Sequence, residues 1–346
     1  MTEPRGAHLV GSVPLGSTAE VFDTVCASLH DHIRRLPDGE TGPRALWISF
    51  QLERLSQLEW FEMAPPVMEG APPTLRLKPG MQAAEVDFGE LGYANAAESS
   101  FALFEARQRD GQIPADVRFQ ISLPTPLANS WAWLGTDPQF AALHERYTEA
   151  FRHEVATIVD RIPPERICIQ WDVCVEVWLY EGWVPVAAPD AKELCVAHVA
   201  HVADWVPEPA ELGFHLCYGD WRHEHLRQPD DVGNVVGLVN ACTARIDRPV
   251  SYVHIPVPIE RDDAAFFAPG RELKLPGGCE LYLGLVHMRD GESGARRRIA
   301  TAQEIFPGFG IATECGMGRR PPDRGGNPET LTRLLELHAA LAEPVR

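Results

Sequence analysis

Short apolar segments alternate with longer amphipathic segments along almost the whole chain. The apolar segments predict eight strands, at 8–12, 33–37, 117–122, 166–172, 212–217, 250–256, 280–286 and 309–314. Helical periodicity predicts helices near 18–31, 43–57, 94–109, 137–160, 189–205, 229–244, 292–304 and 328–342. Strands that are apolar on both faces and alternate with helices are typical of a covered parallel sheet. Eight such units predict a single (β/α)8 barrel, a TIM barrel, over residues 1–346.

One segment, residues 58–92, interrupts this alternation. It is rich in proline and glycine, and we expect it to form an excursion in the connection after the second strand. No linker divides the chain elsewhere, so the sequence indicates one domain.

The composition of the chain argues against nucleic-acid-binding and membrane-associated functions. The 346 residues carry 31 basic and 49 acidic side chains, a formal net charge of −18. Such a charge repels nucleic acids and anionic lipid surfaces, so we expect neither as a partner. No apolar run reaches the roughly 20 residues of a membrane span, and the first residues lack a signal sequence. We therefore expect a cytoplasmic protein with reduced cysteines and small-molecule partners, and a homo-oligomer is left open.

Polar side chains at the strand ends point to a site. In a TIM barrel the reacting residues lie at the C-terminal ends of the strands, where the interior is otherwise apolar. Most of the predicted strands end in a polar or metal-competent group. These groups include Ser12, Asp38, Glu40, Ser122, Thr125, Asp172, His215, Cys217, His254, His287, Glu314 and Cys315.

The sharpest of these signals is His215 with Cys217. Side chains at i and i+2 of a strand point to the same face, so an imidazole and a thiolate there could share one zinc ion. Cys315 ends the last strand and could reach the same mouth as a third ligand. An isolated His-x-Cys is more often a packing feature, and it is the shared strand-end placement that favours the metal. For a fourth ligand the sequence offers His254 and Glu260, with His254 slightly ahead.

Six segments, in order from residue 8 to residue 320, resemble the motifs of one superfamily. They are His8–Ser12, Asp38–Glu40 with Arg44 and Trp47, Ser122–Pro126 with Trp131, Ile169–Asp172, Phe214–Asp220 and Thr313–Arg319. This superfamily joins uroporphyrinogen decarboxylase with the catalytic barrel of cobalamin-independent methionine synthase, and the resemblance is closest to the methionine-synthase side. The segments around Cys217 and Cys315 are the specific matches.

The resemblance implies a zinc-dependent methyltransferase and a role for each matching residue. The implied roles are thiol contact for Ser12, binding of the substrate amino group for Glu40 and Asp172, the methyl-donor side for Thr125, and zinc ligation for His215, Cys217 and Cys315. We add Asp172 to the catalytic residues together with His287, a candidate general acid or base. The implied reaction is attack by a zinc-activated substrate thiol, such as homocysteine, on a methyl or alkyl carbon.

The chain also departs from that pattern. It has room for one barrel where full-length methionine synthases have two, so a folate donor is in doubt. The family's glutamate ligand on the sixth strand has no clear equivalent, because Val253–Ile255 occupies that strand. The Glu-Pro that follows the fourth-strand aspartate is replaced by Val173 and Cys174, and the seventh-strand histidine segment is displaced to His287.

The sequence is compatible with two other functions. A metal-free lyase of the decarboxylase branch would need basic residues for substrate carboxylates, and Arg34, Arg35 and Arg44 are expected near the mouth. A non-catalytic member that binds a thiol or a metal is the other alternative. Fold resemblance alone does not decide between them.

Overall fold

The structure of the protein is a computed structural model. It describes residues 3–66, 72–184, 190–219, 224–318, 320–321 and 326–346. Segment 58–92 is therefore described except for residues 67–71. Asp220 and Arg319, which belong to two of the motifs above, lie outside the described residues.

Eight parallel strands form a nearly closed barrel, as predicted. In chain order the strands are β1 (Ala7–His8), β2 (Arg35–Pro37), β3 (Phe61–Ala64), β4 (Thr74–Leu77), β5 (Arg118–Pro124), β6 (Ile167–Val173), β7 (Glu211–Leu216), β8 (Tyr252–Pro256), β9 (Glu280–Gly284) and β10 (Gly310–Ala312). The barrel order is β1-β10-β9-β8-β7-β6-β5-β2, and β3 pairs with β4 separately. This arrangement confirms the single (β/α)8 barrel.

Helices surround the barrel and fill the connections between its strands. They are α1 (Thr18–Leu29), α2 (Ser49–Ser56), α3 (Tyr93–Arg109), α4 (Pro126–Leu134), α5 (Phe140–Arg161), α6 (Val175–Tyr180), α7 (Ala191–Ala203), α8 (Gly233–Arg245), α9 (Ala264–Phe267), α10 (Gly291–Gln303) and α11 (Pro328–Leu341). The helices α4, α6 and α9 were not predicted. α6 and α9 have only six and four residues, too few for a helical periodicity, and α4 is largely apolar and shows little amphipathic contrast. Among the described helices, none combines the length and apolarity needed to cross a bilayer.

The excursion after the second barrel strand contains a β-hairpin. Strands β3 and β4 pair antiparallel, with Phe61 opposite Leu77 and Ala64 opposite Thr74. Phe61, Leu75 and Leu77 are buried in the main core, so the hairpin packs onto the barrel. The prediction of an irregular excursion located this segment correctly but did not include the hairpin.

A buried polar layer fills the N-terminal end of the barrel. Arg35, at the start of β2, forms ion pairs with Glu211 and Glu280, at the starts of β7 and β9. Its guanidinium also lies over the ring of Tyr252, 4.6 Å from the ring centre. The charges at this end of the barrel are paired with one another. A functional site is therefore expected at the opposite, C-terminal end, where TIM barrels carry their reacting residues.

Candidate metal centre and its two cavities

Strand register places three site residues in one row. In the parallel ladders Asp172 of β6 lies opposite His215 of β7, and His215 lies opposite His254 of β8. All three side chains are buried. Opposite positions on neighbouring strands are about 5 Å apart, so the row brings a carboxylate and two imidazoles into contact distance near the C-terminal strand ends.

His215, Cys217 and Cys315 form a buried group that could hold a metal ion. One ligand atom from each lies within 4.8 Å of the other two, and the Sγ atoms of Cys217 and Cys315 are 3.8 Å apart. Two sulfurs each about 2.3 Å from one tetrahedral zinc ion would lie about 3.8 Å apart. The donor set and the sulfur spacing therefore fit zinc. Three of the four ligands proposed from the sequence belong to this group, and His254 does not.

The surroundings of the sulfurs are tightly specified. The backbone N–H of Gly219 donates to Sγ of Cys217 over 3.4 Å. Gly219 has φ +102°, and a Cβ there would come within 3.1 Å of both the Leu226 nitrogen and the Trp178 ring, so glycine is required. Cys174 packs against the same pair of cysteines, and burial raises the pKa of its thiol above the ordinary value.

The first cavity, of about 130 Å³, opens beside this group. All three candidate ligands line it, together with two carboxylates and two indoles. The carboxylates are those of Glu40 and Asp172, the indoles are those of Trp47 and Trp178, and Ser12 and Cys174 also line the cavity. A small cavity with mostly apolar walls and a few convergent polar groups is the usual form of a small-molecule site.

Two residues of this cavity have strained backbone. Glu40 and Trp47 have φ of +51° and +54°, and within the described ranges they are the only residues other than glycine with positive φ. Such conformations persist where the surrounding structure enforces them, and they cluster at functional sites. Here Asp38 accepts a hydrogen bond from the Glu40 N–H over 2.9 Å and pairs with Arg44. These contacts hold the Asp38–Trp47 segment in the form that turns Glu40 and Trp47 toward the cavity.

The Asp172 carboxylate is fixed by two neutral donors. The indole N–H of Trp47 donates to Oδ2 over 3.1 Å, and the Gln170 amide donates to Oδ1 over 2.8 Å. Gln170 in turn accepts hydrogen bonds from Tyr252 and contacts His8 Nε2 at 2.9 Å. These hydrogen bonds fix the orientation of the Asp172 carboxylate in the wall of the first cavity.

The second cavity, of about 300 Å³, lies on the other side of Cys315. Glu314 is the central charge there, since its carboxylate oxygens lie 3.5 Å from Nδ1 of His287 and 3.5 Å from Nε2 of His225. Burial opposes ionisation of Glu314, but His287, Arg320 and His225 outweigh it and hold its pKa well below the ordinary value. His225 was not predicted; its only signal was its place in the loop after a barrel strand.

The other predicted residues take different positions. Nδ1 of His254 lies 2.7 Å from Nδ1 of His215, and His254 lines neither cavity. The side chain of Glu260 is 79% exposed and pairs with Arg289 at the second cavity. Thr125 lines neither cavity, and its hydroxyl caps α4 by accepting from the Ala128 N–H.

Ser12 holds the last strand connection in place. It lines the first cavity, and its hydroxyl accepts from the Gly318 N–H over 3.1 Å. A Cβ at Gly316 would lie 2.3 Å from the Ser12 hydroxyl, so glycine lets this loop cross close to Ser12. The conformation of the segment that carries Cys315 thus depends on Ser12.

The three arginines expected near the mouth do not form a basic cleft. Arg34 and Arg35 pair with Glu280 at the N-terminal end of the barrel, and Arg44 pairs with Asp38. None of the three lines either cavity. The expectation for Arg34 and Arg35 was wrong, because both stand at the start of a strand rather than at its end.

Comparison with known proteins gives a relationship of fold. No model of a known protein family matches the sequence, and a search of curated proteins finds no match. Among solved structures, the chain is similar to a protein of Listeria monocytogenes that is described provisionally as a vitamin-B12-independent methionine synthase. The match covers 99% of each chain at a TM-score of 0.56 and 12% sequence identity. This chain therefore shares its whole barrel fold with that methionine-synthase-like structure.

Proposed function

We propose that the protein is a zinc-dependent thiol alkyl- or methyltransferase. The observation that carries this proposal is the buried group of His215, Cys217 and Cys315, which faces a small cavity with an acidic wall. Zinc bound there would lower the pKa of a substrate thiol, so that the thiol reacts as a nucleophilic thiolate. The similar fold of the Listeria protein agrees with this chemistry.

The first cavity is suited to a small thiol that carries a positive charge. Glu40 and Asp172 are buried carboxylates in its wall, and the donors from Trp47 and Gln170 to Asp172 are neutral. A substrate ammonium between the two carboxylates would gain charge-assisted hydrogen bonds. The indoles of Trp47 and Trp178 would exclude water from the sulfur. An amino-acid thiol such as homocysteine belongs to this class.

The second cavity is suited to the carbon donor. Cys315 and Gly219 line both cavities, so a molecule in either cavity would lie beside the metal group. The Val257 carbonyl lies 2.9 Å from Nε2 of His287, and Glu314 lies near Nδ1. These contacts orient the His287 ring in the wall of the second cavity, where we propose that it passes a proton to the leaving group.

Metal analysis tests the proposal directly. We expect about one zinc per chain in protein purified at neutral pH, and loss of that zinc in Cys217→Ser and in Cys315→Ser. Cys195→Ser and Cys242→Ser are matched controls, because both cysteines are buried but lie outside the metal group. They should keep the full zinc content.

Zinc binding, group transfer and activity after chelation together separate the proposed function from the two alternative functions. Wild-type protein that stays free of zinc after incubation with excess zinc would contradict the proposal. Zinc-loaded protein that transfers no methyl or alkyl group to any small thiol would favour the non-catalytic thiol- or metal-binding function. For a decarboxylase-type lyase, activity should persist after chelation of the metal.

A further inference from the structure

A contact between two buried histidines defines how the metal would be held. Nδ1 of His215 and Nδ1 of His254 are 2.7 Å apart, which is a hydrogen-bond distance. Two nitrogens bound to one tetrahedral zinc ion at about 2.0–2.1 Å would lie about 3.3 Å apart. These two atoms are therefore partners of each other rather than joint ligands of one ion.

With a metal ion bound by His215, the same contact would also decide which nitrogen of that ring carries the proton. A metal-binding nitrogen must offer its lone pair, and Nδ1 of His215 faces His254, so Nε2 is the atom left for the metal. With Nε2 on the metal, the ring proton of His215 would lie on Nδ1 and would be donated to Nδ1 of His254. His254 is fully buried and lines neither cavity, so it has no path to the cavity-facing side of the group.

We infer that His254 is a positioning residue that orients His215, and that the protein supplies three zinc ligands and leaves one coordination position open toward the first cavity. This inference rests on the proposed zinc-binding function. Three protein ligands with an open position are the usual arrangement of a catalytic zinc site, whereas four close it. Outer partners of ligating histidines commonly change metal affinity about 10- to 100-fold when they are removed.

Glu260 and Cys174 are two further candidates for a fourth ligand among the described residues, and neither is a member of the group of three. Glu260 is largely exposed and paired with Arg289. Cys174 packs against Cys217 and Cys315, but it is not a member of the group whose ligand atoms all lie within 4.8 Å of one another. The first cavity, which all three ligands line, is therefore where the fourth position would be filled by a substrate sulfur or by water.

X-ray absorption at the zinc edge of the wild-type protein tests the ligand count without any substitution. We expect two sulfurs, one imidazole and one further light atom. Two imidazoles would overturn the role given to His254, and three sulfurs would overturn the open position. Addition of a small thiol should raise the count to three sulfurs.

Variants of His254 test positioning against ligation. His254→Phe removes the acceptor and should weaken zinc binding about 10- to 100-fold, measured by competition with a chromophoric chelator, with one zinc still bound at saturation. His254→Asn places an amide oxygen near the position of Nδ1 and should restore most of the affinity. Glu260→Gln is the matched control and should bind zinc as the wild type does.

The outcomes distinguish this inference from the proposed function. If His254→Phe loses stoichiometric zinc binding while its metal-free form unfolds like the wild type, or if zinc affinity does not change, the inference is wrong and the proposed function stands. Absence of zinc binding in the wild-type protein would overturn both.

Discussion

At the scale of single residues, a buried ion pair between Asp38 and Arg44 holds the segment that carries Glu40 and Trp47. Burial opposes the ionisation of Asp38, but Arg44, the Glu40 N–H and Ser100 hold its pKa below the ordinary value. The ion pair with Arg44 has side-chain exposures of only 8% and 18%. The strained conformations of Glu40 and Trp47 depend on this pair, so local stability and site geometry are coupled.

We predict that Asp38→Asn destabilises the protein by about 2–3 kcal/mol, because it leaves a buried guanidinium without its counter-charge. Chemical denaturation measures this change. Asp23→Asn is the control: Asp23 pairs with Arg107, but its side chain is 59% exposed, and the loss should stay below about 1 kcal/mol. Equal losses in the two variants would contradict the role given to the Asp38 pair.

At the scale of elements, the sequence predicted the strands better than the connections. The eight apolar runs all correspond to barrel strands, because a buried parallel strand has an unmistakable composition. The hairpin of β3 and β4 was missed because each of its short strands contains a charged residue and both lie in a segment rich in proline and glycine, so neither is a continuous apolar run. The predicted ligands at 215, 217 and 315 converge because strand ends meet in a barrel. The position of His254 depends on register and ring orientation, which no sequence pattern specifies.

Helix α11 contains a histidine that should make stability depend on pH. His338 is buried, its Nδ1 lies 2.7 Å from the Leu334 carbonyl, and burial lowers its pKa to about 4. In the unfolded chain the His338 imidazole takes up a proton near pH 6.5, whereas in the folded protein it stays neutral to lower pH. The contribution of neutral His338 to the free energy of unfolding is therefore present above pH 6.5 and is lost as the pH falls toward 4.

We therefore expect the free energy of unfolding of the wild type to fall more steeply between pH 6.5 and 4 than that of His338→Leu. The difference should approach about 3 kcal/mol at the lower end. His153→Leu, at an exposed position of α5, should follow the wild-type profile. Parallel curves for the wild type and His338→Leu would show that the buried ring is not the cause.

At the scale of the whole molecule, the candidate ligands join distant parts of the chain. His215 lies on β7 and Cys217 directly follows that strand, whereas Cys315 follows β10, 98 residues after Cys217. A metal ion held by all three would bind the folded barrel in preference to the unfolded chain. Metal binding and global stability should therefore be linked.

The expected size of this linkage follows from mass action. At free zinc about 1,000-fold above the dissociation constant, the free energy of unfolding should rise by about 4 kcal/mol over the metal-free protein. Cys315→Ser should gain much less under the same conditions. Thermal or chemical unfolding with and without zinc measures both. Equal gains in the wild type and the variant would indicate that the stabilising ion binds elsewhere.

The two cavities share Cys315 and Gly219 but have otherwise separate walls. Trp47 and Trp178 shape one compartment, and Gln228 and Arg289 shape the other. Under the proposed function, substitutions confined to one compartment should change the choice of one reactant, while the walls of the other compartment and the shared Cys315 stay as they are.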